Sequence, residues 1–503
     1  MKNNLWRTFV LVLLVVAILL GLFYLPRVKV FDTELRRVNI LSDVQQRNRE
    51  GKILAEVKAD SLDGIVEEKI DSAAIQVKEL AYTDSIPVGM IAIEDFADTL
   101  GLNREMDDFY AALDEASHRP VRIAYFGDSY IEGDIITMDL RGLLQQKYGG
   151  CGVGFVEIQC IASDFRQSVI TKRDGWNSYY ANEPARGFKA SLQGIAGSYF
   201  IPHSSATYEM RGTKRFYPNQ LDTAEVATVY FTSGEGLNIH YALNGGENQQ
   251  LFSNGTPIEP ETYEEIIEER DSDSVAHYTT VIRQVPQEQI ESNSVLAKSV
   301  NGHIGKFTMQ ITGGGSSRFY GVALDGHRGI VVDNFSMRGS SGSQLLKVPQ
   351  ATLRSFEKVR PYDLIILHYG LNVASAQQKN YSAYASQMGK VVQHLKETNP
   401  HASILIVSIA DRDARGDDGE MHTMEGVREL VSYQRKMASD QHIAFWNLYE
   451  AMGGDGSLAR MTEKKQANKD YTHINFAGGR QLAKLLFDVL MNGKENYDRR
   501  AHE

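Results

Sequence analysis

The chain has 503 residues, of which 42% are hydrophobic and 23% are charged, a balance that is typical of globular proteins and sufficient for two or three domains. Its formal net charge of −11 at pH 7 excludes general nucleic-acid binding, because that function needs a basic surface. The two cysteines, Cys151 and Cys160, match no zinc-binding spacing, and they leave open both a disulfide and two unpaired thiols.

The first predicted element is an apolar helix from Phe9 to Leu25. At a rise of about 1.5 Å per residue it would reach about 25 Å, near the lower limit for the hydrocarbon core of a bilayer. Trp6 and Tyr24 lie where interfacial aromatic residues occur. A cleaved signal peptide is the alternative, but the bulky residues at the end of the segment form no small-x-small cleavage site. We therefore predict an uncleaved membrane anchor over residues 1–31.

Residues 32–88 form the next predicted segment. They are polar and charged, with short amphipathic stretches and no aromatic cluster. This composition is typical of a linker or of a loosely packed helical spacer. We therefore predict a stalk between the anchor and the body of the protein.

After the stalk, nearly continuous apolar runs alternate with helical patterns. The runs occupy residues 121–126, 363–369, 403–411 and 442–452. Parallel strands have this composition when both faces of their sheet are covered. The segments between them carry apolar stripes at helical spacing, such as Ile136, Leu140 and Leu144. The alternation predicts a three-layer α/β/α fold with a parallel sheet.

A region of short runs with period two interrupts this alternation. In one run, Phe307, Met309 and Ile311 fall on one face, and polar residues fall on the other. Turn residues separate the runs, as they do in β-sandwiches. We predict a β-sandwich that is inserted into the α/β domain and divides it in two, with a short tail at the end. The predicted segments after the stalk are residues 89–190 (α/β, first part), 191–325 (insertion), 326–495 (α/β, second part) and 496–503 (tail).

Ser129 is the first candidate for catalysis. The motif YFGDSY places Gly127, Asp128 and Ser129 directly after a predicted strand, and a helical pattern begins soon afterwards. Ligands of open α/β sheets bind beyond the carboxyl ends of the strands, so a serine here would face that crevice. Its N–H would lie among the unpaired amides near a helix start and can help to hold an oxyanion. The alternative is that these three residues only form a turn and a helix cap.

Three later stretches supply the other groups that a nucleophilic serine needs. Asp470 and His473 lie three residues apart before the last predicted helix, so the carboxylate can fold back on the imidazole and fix its tautomer. Gly339 follows a predicted strand and can offer a backbone N–H. Asn372 follows another strand and can offer a side-chain amide, which donates to an oxyanion at neutral pH.

These motifs occur in a recognisable order along the chain. They are Ser129 in FGDS, Gly339 in MRGSSG, Asn372 in YGLN, and Asp470 and His473 in DYTHIN. The chain thereby resembles the SGNH/GDSL hydrolase superfamily, whose four sequence blocks follow this order. Within the superfamily it is most similar to bacterial peptidoglycan O-acetylesterases, in which an inserted β-domain resembles a carbohydrate-binding module.

The resemblance covers roughly residues 120–160 and 318–490, and it includes departures from the family pattern. Arg338 stands where the second block often has asparagine, and Val373 stands where the third block often has aspartate. Gly342, the second glycine of the MRGSSG block, is the alternative to the first glycine of that block as the oxyanion donor. Neither departure replaces a residue that takes part in the chemistry, but both alter the surroundings of the expected site.

The resemblance implies a carboxylic ester hydrolase with catalytic Ser129, Asp470 and His473, and with an oxyanion hole formed by Ser129, Gly339 and Asn372. The implied reaction removes O-acetyl groups from a glycan, with peptidoglycan expected, through an acetyl-serine and without a metal or organic cofactor. Two alternatives remain: an acetylesterase or acetyltransferase for another polysaccharide, and a non-catalytic, membrane-tethered glycan-binding protein. With the predicted anchor crossing the inner membrane once, we expect the catalytic body in the periplasm or extracytoplasmic space.

Overall fold

The computed structural model describes most of the chain beyond residue 83 and two short strands before it. The described residues are 29–30, 33–34, 84–96, 104–159, 166–183, 187–213, 223–254, 262–270, 276–284 and 294–502. The chain divides into two compact units, Met1–Ala81 and Tyr82–Glu503. In the first unit, strands β1 (Lys29–Val30) and β2 (Thr33–Glu34) pair in antiparallel.

The second unit contains all the remaining described elements. Its strands are β3 (Ile93–Asp95), β4 (Pro120–Gly127), β5 (Gly154–Glu157), β6 (Val169–Tyr180), β7 (Ser198–Gly212), β8 (Ala224–Thr232), β9 (Asn238–Leu243), β10 (Gln249–Ser253), β11 (Thr262–Arg270), β12 (Ala276–Gln284), β13 (Leu296–Ile304), β14 (Phe307–Thr312), β15 (Arg318–Asp325), β16 (Gly329–Ser336), β17 (Leu364–His368), β18 (Ser403–Val407), β19 (Asp413–Arg415), β20 (Met421–Thr423) and β21 (Ala444–Trp446). Its α-helices are α1 (Asp107–Asp114), α2 (Thr137–Tyr148), α3 (Gln350–Val359), α4 (Ser382–Lys396), α5 (Glu425–Asp440), α6 (Leu448–Ala451), α7 (Ser457–Glu463) and α8 (Phe476–His502).

A six-stranded sheet forms the middle layer of the α/β part. Its strand order is β16-β4-β17-β18-β21-β3, and its first five strands are parallel. Every residue of β17 and β18 is buried, as expected for strands covered on both faces. Helices α3, α4 and α5 contribute to the core on one face, and α1, α2 and α8 contribute to the core on the other. The arrangement is three-layered, with helices on both sides of the sheet.

The predicted fold class is wrong about the sheet of the α/β part. The sheet is mixed rather than parallel throughout, because the short strand β3 pairs in antiparallel with β21 at one edge. The predicted transmembrane helix is not supported. No helix within the described ranges is both long and apolar enough to cross a bilayer, and the apolar run from Phe9 to Leu25 lies outside those ranges.

The β-rich region also differs from the prediction, because most of its strands are hydrogen-bonded into one nine-stranded sheet, while β11 and β12 pair separately in antiparallel. The hydrogen-bonded order is β10-β9-β14-β7-β15-β8-β13, with β5 beside β15 and β6 beside β7. The long strand β7 joins the two halves, because residues 205–210 pair with β14 and Phe200 pairs with β15. The halves also pack on each other, since Phe231 of β8 lies 5.1 Å from Phe252 of β10 between ring centroids. Strands β5 and β6 precede residue 191, and the domain boundaries stay predictions.

A buried ionic network links the two sheets. Arg360, directly after α3, donates to both carboxylate oxygens of Asp333 on β16 at 2.6 and 2.8 Å. It also donates to Asp325 on β15 at 2.7 Å and to the Tyr230 hydroxyl on β8 at 2.9 Å. Burial alone would raise the pKa of Asp333, but the Arg360 guanidinium outweighs burial and holds that pKa below its ordinary value.

Candidate active site

The carboxyl ends of three neighbouring strands meet at one edge of the six-stranded sheet. Gly127, the last residue of β4, pairs in register with Ser336 at the end of β16 and with His368 at the end of β17. The loops that follow these strands therefore start side by side, at the edge where open α/β sheets bind ligands. The predicted site residues in these loops are Ser129, Gly339 and Asn372.

Ser129 lies in a tight turn and not at the first residue of an α-helix. A short 3-10 helix, Glu132–Asp134, follows it, and α2 begins only at Thr137. A Cβ atom on Gly127 would lie 2.9 Å from the carbonyl oxygen of His368, so glycine allows β4 to end close against β17. The Ser129 N–H donates to no acceptor among the described residues and remains free for a ligand.

Ser129, His473 and Asp470 form a continuous hydrogen-bonded chain. The Oγ atom of Ser129 lies 3.0 Å from Nε2 of His473, and Nδ1 of His473 lies 2.9 Å from Oδ2 of Asp470. Because an ionised carboxylate only accepts, the proton of the neutral imidazole belongs on Nδ1, and Nε2 can accept from the serine hydroxyl. The structure therefore brings together the three residues that the sequence analysis assigned to catalysis, although Ser129 lies more than 340 positions before the other two.

Asp470 is oriented by its own loop. Its Oδ1 atom accepts the backbone N–H groups of Thr472 and His473, each at 3.0 Å. Burial raises the pKa of Asp470, but hydrogen bonds from the backbone and the side chain of His473 and from the backbone of Thr472 outweigh it and lower that pKa below its ordinary value. The carboxylate is therefore ionised at neutral pH and stabilises a positive charge on the imidazole.

The loop after β16 offers a free backbone N–H at Gly339. Gly339 has a φ of +74°, which favours glycine, and no atom lies within 4 Å of the position that a Cβ would take. Its N–H has no acceptor among the described residues, whereas the Gly342 N–H donates to Oγ of Ser340 at 3.0 Å. Of the two glycines that the sequence left as rivals, the geometry favours Gly339 as the oxyanion donor.

Asn372 contributes a side-chain amide from the loop after β17, which lies on the opposite side of β4 from the loop after β16. Its Nδ2 atom donates to the carbonyl oxygen of Ser340 at 2.9 Å, which fixes the orientation of the amide group. An asparagine amide has two N–H bonds, so the second remains available to a ligand. The loops after β16 and β17 are thus hydrogen-bonded to each other, and together with Ser129 they carry three candidate donors.

Asp128 is a buried acid beside the serine, and the sequence suggested only a role in the turn for it. Its Oδ1 atom accepts the backbone N–H of Tyr130 at 3.0 Å, and its side chain is 1% exposed. Burial raises the pKa of Asp128 to about 6, although backbone N–H groups of Tyr130, Leu371 and Gly370 act in the opposite direction. The last two residues precede Asn372, so Asp128 connects the serine turn with the loop of the candidate amide donor.

A second imidazole near the strand ends is not suited to proton transfer. His368 is buried, and its Nδ1 atom lies 3.1 Å from the Tyr125 hydroxyl. Burial lowers the pKa of His368 to about 3, so this imidazole stays neutral throughout the physiological range. His473 is therefore the histidine that the geometry supports as the base.

The described part of the chain contains no group of three or more His, Cys, Asp or Glu residues that could hold a metal ion. The expectation that the reaction needs no cofactor stays a prediction. Cys151 has a free thiol, and burial raises its pKa to about 11. Cys160 lies outside the described residues.

Comparison with known proteins gives a likeness in structure only. No protein-family model and no curated protein sequence matches the chain. A solved structure of a peptidoglycan O-acetylesterase aligns with a TM-score of 0.58 at 17% identity, over 80% of this chain and 99% of that one. A GDSL-like lipase from Parabacteroides merdae matches at 15% identity over 32% of this chain and 74% of that one, with a TM-score of 0.26. A family two carbohydrate esterase from Cellvibrio japonicus matches at 10% identity over 64% and 99%, with a TM-score of 0.24.

The alignment with the peptidoglycan O-acetylesterase structure shows the fold. The chain has the SGNH/GDSL hydrolase fold, which confirms the resemblance inferred from its four motifs. The predicted enzyme class, a carboxylic ester hydrolase, agrees with this fold. The roles of the individual site residues stay predictions, now with the geometry described above.

Proposed function

We propose that the protein is a serine esterase that removes O-acetyl groups from a bacterial cell-wall glycan, with peptidoglycan as the first substrate to test. The observation that carries this proposal is the 3.0 Å separation between Oγ of Ser129 and Nε2 of His473, at the edge of the sheet where two further loops present free N–H donors. A cell-wall substrate implies that the reaction takes place outside the cytoplasm.

The proposed reaction proceeds in two steps. Nε2 of His473 accepts the hydroxyl proton while Oγ of Ser129 bonds to the ester carbonyl carbon, and the N–H groups of Ser129 and Gly339 and the Asn372 amide bind the oxyanion. The intermediate breaks its bond to the sugar oxygen, which takes the proton from His473. Water then loses a proton to His473 and attacks the acetyl-serine, so that acetate leaves and the serine hydroxyl is restored.

The choice of an acetylated glycan is supported by the structural likeness to a peptidoglycan O-acetylesterase, which extends over 80% of this chain. The site itself supports ester chemistry and does not distinguish between glycans. Other acetylated polysaccharides, and transfer of the acetyl group to an acceptor other than water, are therefore outcomes of the test.

The test measures acetate release by the purified full-length chain from O-acetylated peptidoglycan and from acetylated xylan. We expect release from peptidoglycan and at least about a 10³-fold lower kcat for Ser129→Ala. The exposed Ser439→Ala serves as a matched control with wild-type turnover. Faster release from xylan would reassign the substrate. If Ser129→Ala keeps more than about a tenth of the activity, the serine is not the nucleophile.

A further inference from the structure

The peptide unit between Arg338 and Gly339 carries one of the proposed oxyanion donors. The described residues contain no cis peptide bond, so this unit is trans. A planar trans peptide directs its carbonyl oxygen and its N–H to opposite sides. Whatever fixes the direction of the Arg338 carbonyl therefore also fixes the direction of the Gly339 N–H.

Asn182 holds that carbonyl from outside the α/β layers. Its Nδ2 atom donates to the carbonyl oxygen of Arg338 at 2.9 Å. Asn182 follows β6, a strand of the nine-stranded sheet, and the N–H of the neighbouring Ala181 donates to the carbonyl oxygen of Gly197 at 2.9 Å. Since a carbonyl only accepts, the contact also determines that the amide nitrogen of Asn182 faces the peptide.

An ion pair holds the same peptide from the side of the serine turn. Nε and Nη2 of Arg338 donate to one carboxylate oxygen of Glu132 at 3.0 and 2.5 Å. The Glu132 side chain is 6% exposed, and its N–H donates to the carbonyl oxygen of Ser129 at 3.4 Å. The segment that carries Gly339 is therefore bonded both to the turn of Ser129 and to the nine-stranded sheet.

We propose that Asn182 is a positioning residue of the oxyanion hole, which aims the Gly339 N–H at the reacting carbonyl oxygen by holding the opposite end of its peptide unit. The inference rests on the proposed esterase function. It connects the oxyanion hole to the nine-stranded region through the single side-chain amide of Asn182. Preorganised donors stabilise the negative charge that develops in the transition state, so a misdirected N–H lowers kcat more than it changes KM.

The test compares Asn182→Leu with the wild type on p-nitrophenyl acetate and on its thiono analogue, in which sulfur replaces the carbonyl oxygen. Sulfur is a weak hydrogen-bond acceptor, so an oxyanion hole contributes little to the thiono reaction. We expect kcat for the oxygen ester to fall about tenfold with KM nearly unchanged, and kcat for the thiono ester to fall less than about twofold. Asn177→Leu, at an exposed position of β6, the strand that precedes Asn182, should leave both reactions unchanged.

The ratio of the two rates is measured on one sample and so does not depend on the folded fraction. Asn182→Ala provides a second variant in case the leucine prevents folding. An equal loss on both esters, or no loss on either, would overturn the positioning role. Failure of the wild type to turn over any acetyl ester, together with no labelling of Ser129 by a fluorophosphonate, would overturn the proposed function itself, and the inference with it.

Discussion

At the scale of single residues, Asn372 has the most specific expected effect. Its amide is oriented by the Ser340 carbonyl, and its second N–H is free. Removing one donor from an oxyanion hole costs about 10²-fold or more in kcat, so we expect this loss for Asn372→Ala with p-nitrophenyl acetate. Asn248→Ala, at an exposed position of the nine-stranded region, is the control. An unchanged kcat for Asn372→Ala would mean that the amide does not contact the reacting oxygen.

The buried carboxyl group of Asp128 is expected to make the free energy of unfolding depend on pH. Its pKa is raised to about 6 from an ordinary value of 3.8, chiefly by burial, so the folded protein binds this proton more tightly than the unfolded chain does. The stability associated with the neutral acid is fully present below pH 4 and is lost as the pH rises through 6. The pKa difference corresponds to about 3 kcal/mol.

The measurement for Asp128 is the free energy of unfolding of the wild type and of Asp128→Asn between pH 4 and pH 7. Asparagine keeps an oxygen that can accept the Tyr130 N–H but carries no charge, so we expect the variant to gain stability relative to the wild type as the pH rises. Parallel curves for the two proteins would show that Asp128 does not titrate in this range.

At the scale of elements, the end of β4 is restricted by its neighbour β17. Gly127→Ala would place a Cβ atom 2.9 Å from the His368 carbonyl oxygen, which is backbone and cannot rotate away. We expect a loss of about 1–3 kcal/mol in the free energy of unfolding, the usual cost of overpacking, together with a lower kcat because the Ser129 turn shifts. Gly315→Ala is a matched control, since no atom lies within 4 Å of its Cβ position. If Gly127→Ala and the wild type have equal free energies of unfolding, β4 and β17 can move apart at this point without cost.

The elements around the site could be predicted from sequence to the extent that their patterns are local. The buried runs of β4, β17 and β18 are recognisable because both faces are covered. The turn after Ser129 was harder to predict, because the left-handed φ values of Gly133 (66°) and Asp134 (65°) delay the helix. Asp134 is stabilised there by buried contacts with Arg141, seven residues away, and with Arg166, 32 residues away and beyond the local pattern.

At the scale of the whole molecule, the order of the motifs predicted which loops meet at one edge of the six-stranded sheet, but it did not predict how the strands pair. Three of the four motifs follow strand ends, and the parallel register then places these three at one edge, whereas the fourth lies between α7 and α8. Strand pairing itself is not local. Nothing in the three residues of β3 indicates an antiparallel edge, and nothing in β7 indicates that it pairs with both β14 and β15. The contact of Asn182 with Arg338 joins residues 156 positions apart, and no sequence pattern predicts it.

The two sheets are predicted to unfold together because Arg360 is bonded to both. Arg360→Met removes the cation that compensates Asp333 and Asp325 and leaves two carboxylates in a buried environment. Breaking a buried ion pair in this way typically costs about 3–5 kcal/mol, so we expect a loss of this size in urea unfolding. Arg354→Met, at an exposed position of α3, serves as the control and should change stability by less than about 0.5 kcal/mol. If Arg360→Met unfolds within about 1 kcal/mol of the wild type, the carboxylates are protonated or hydrated at little cost, and the network does not stabilise the contact between the sheets.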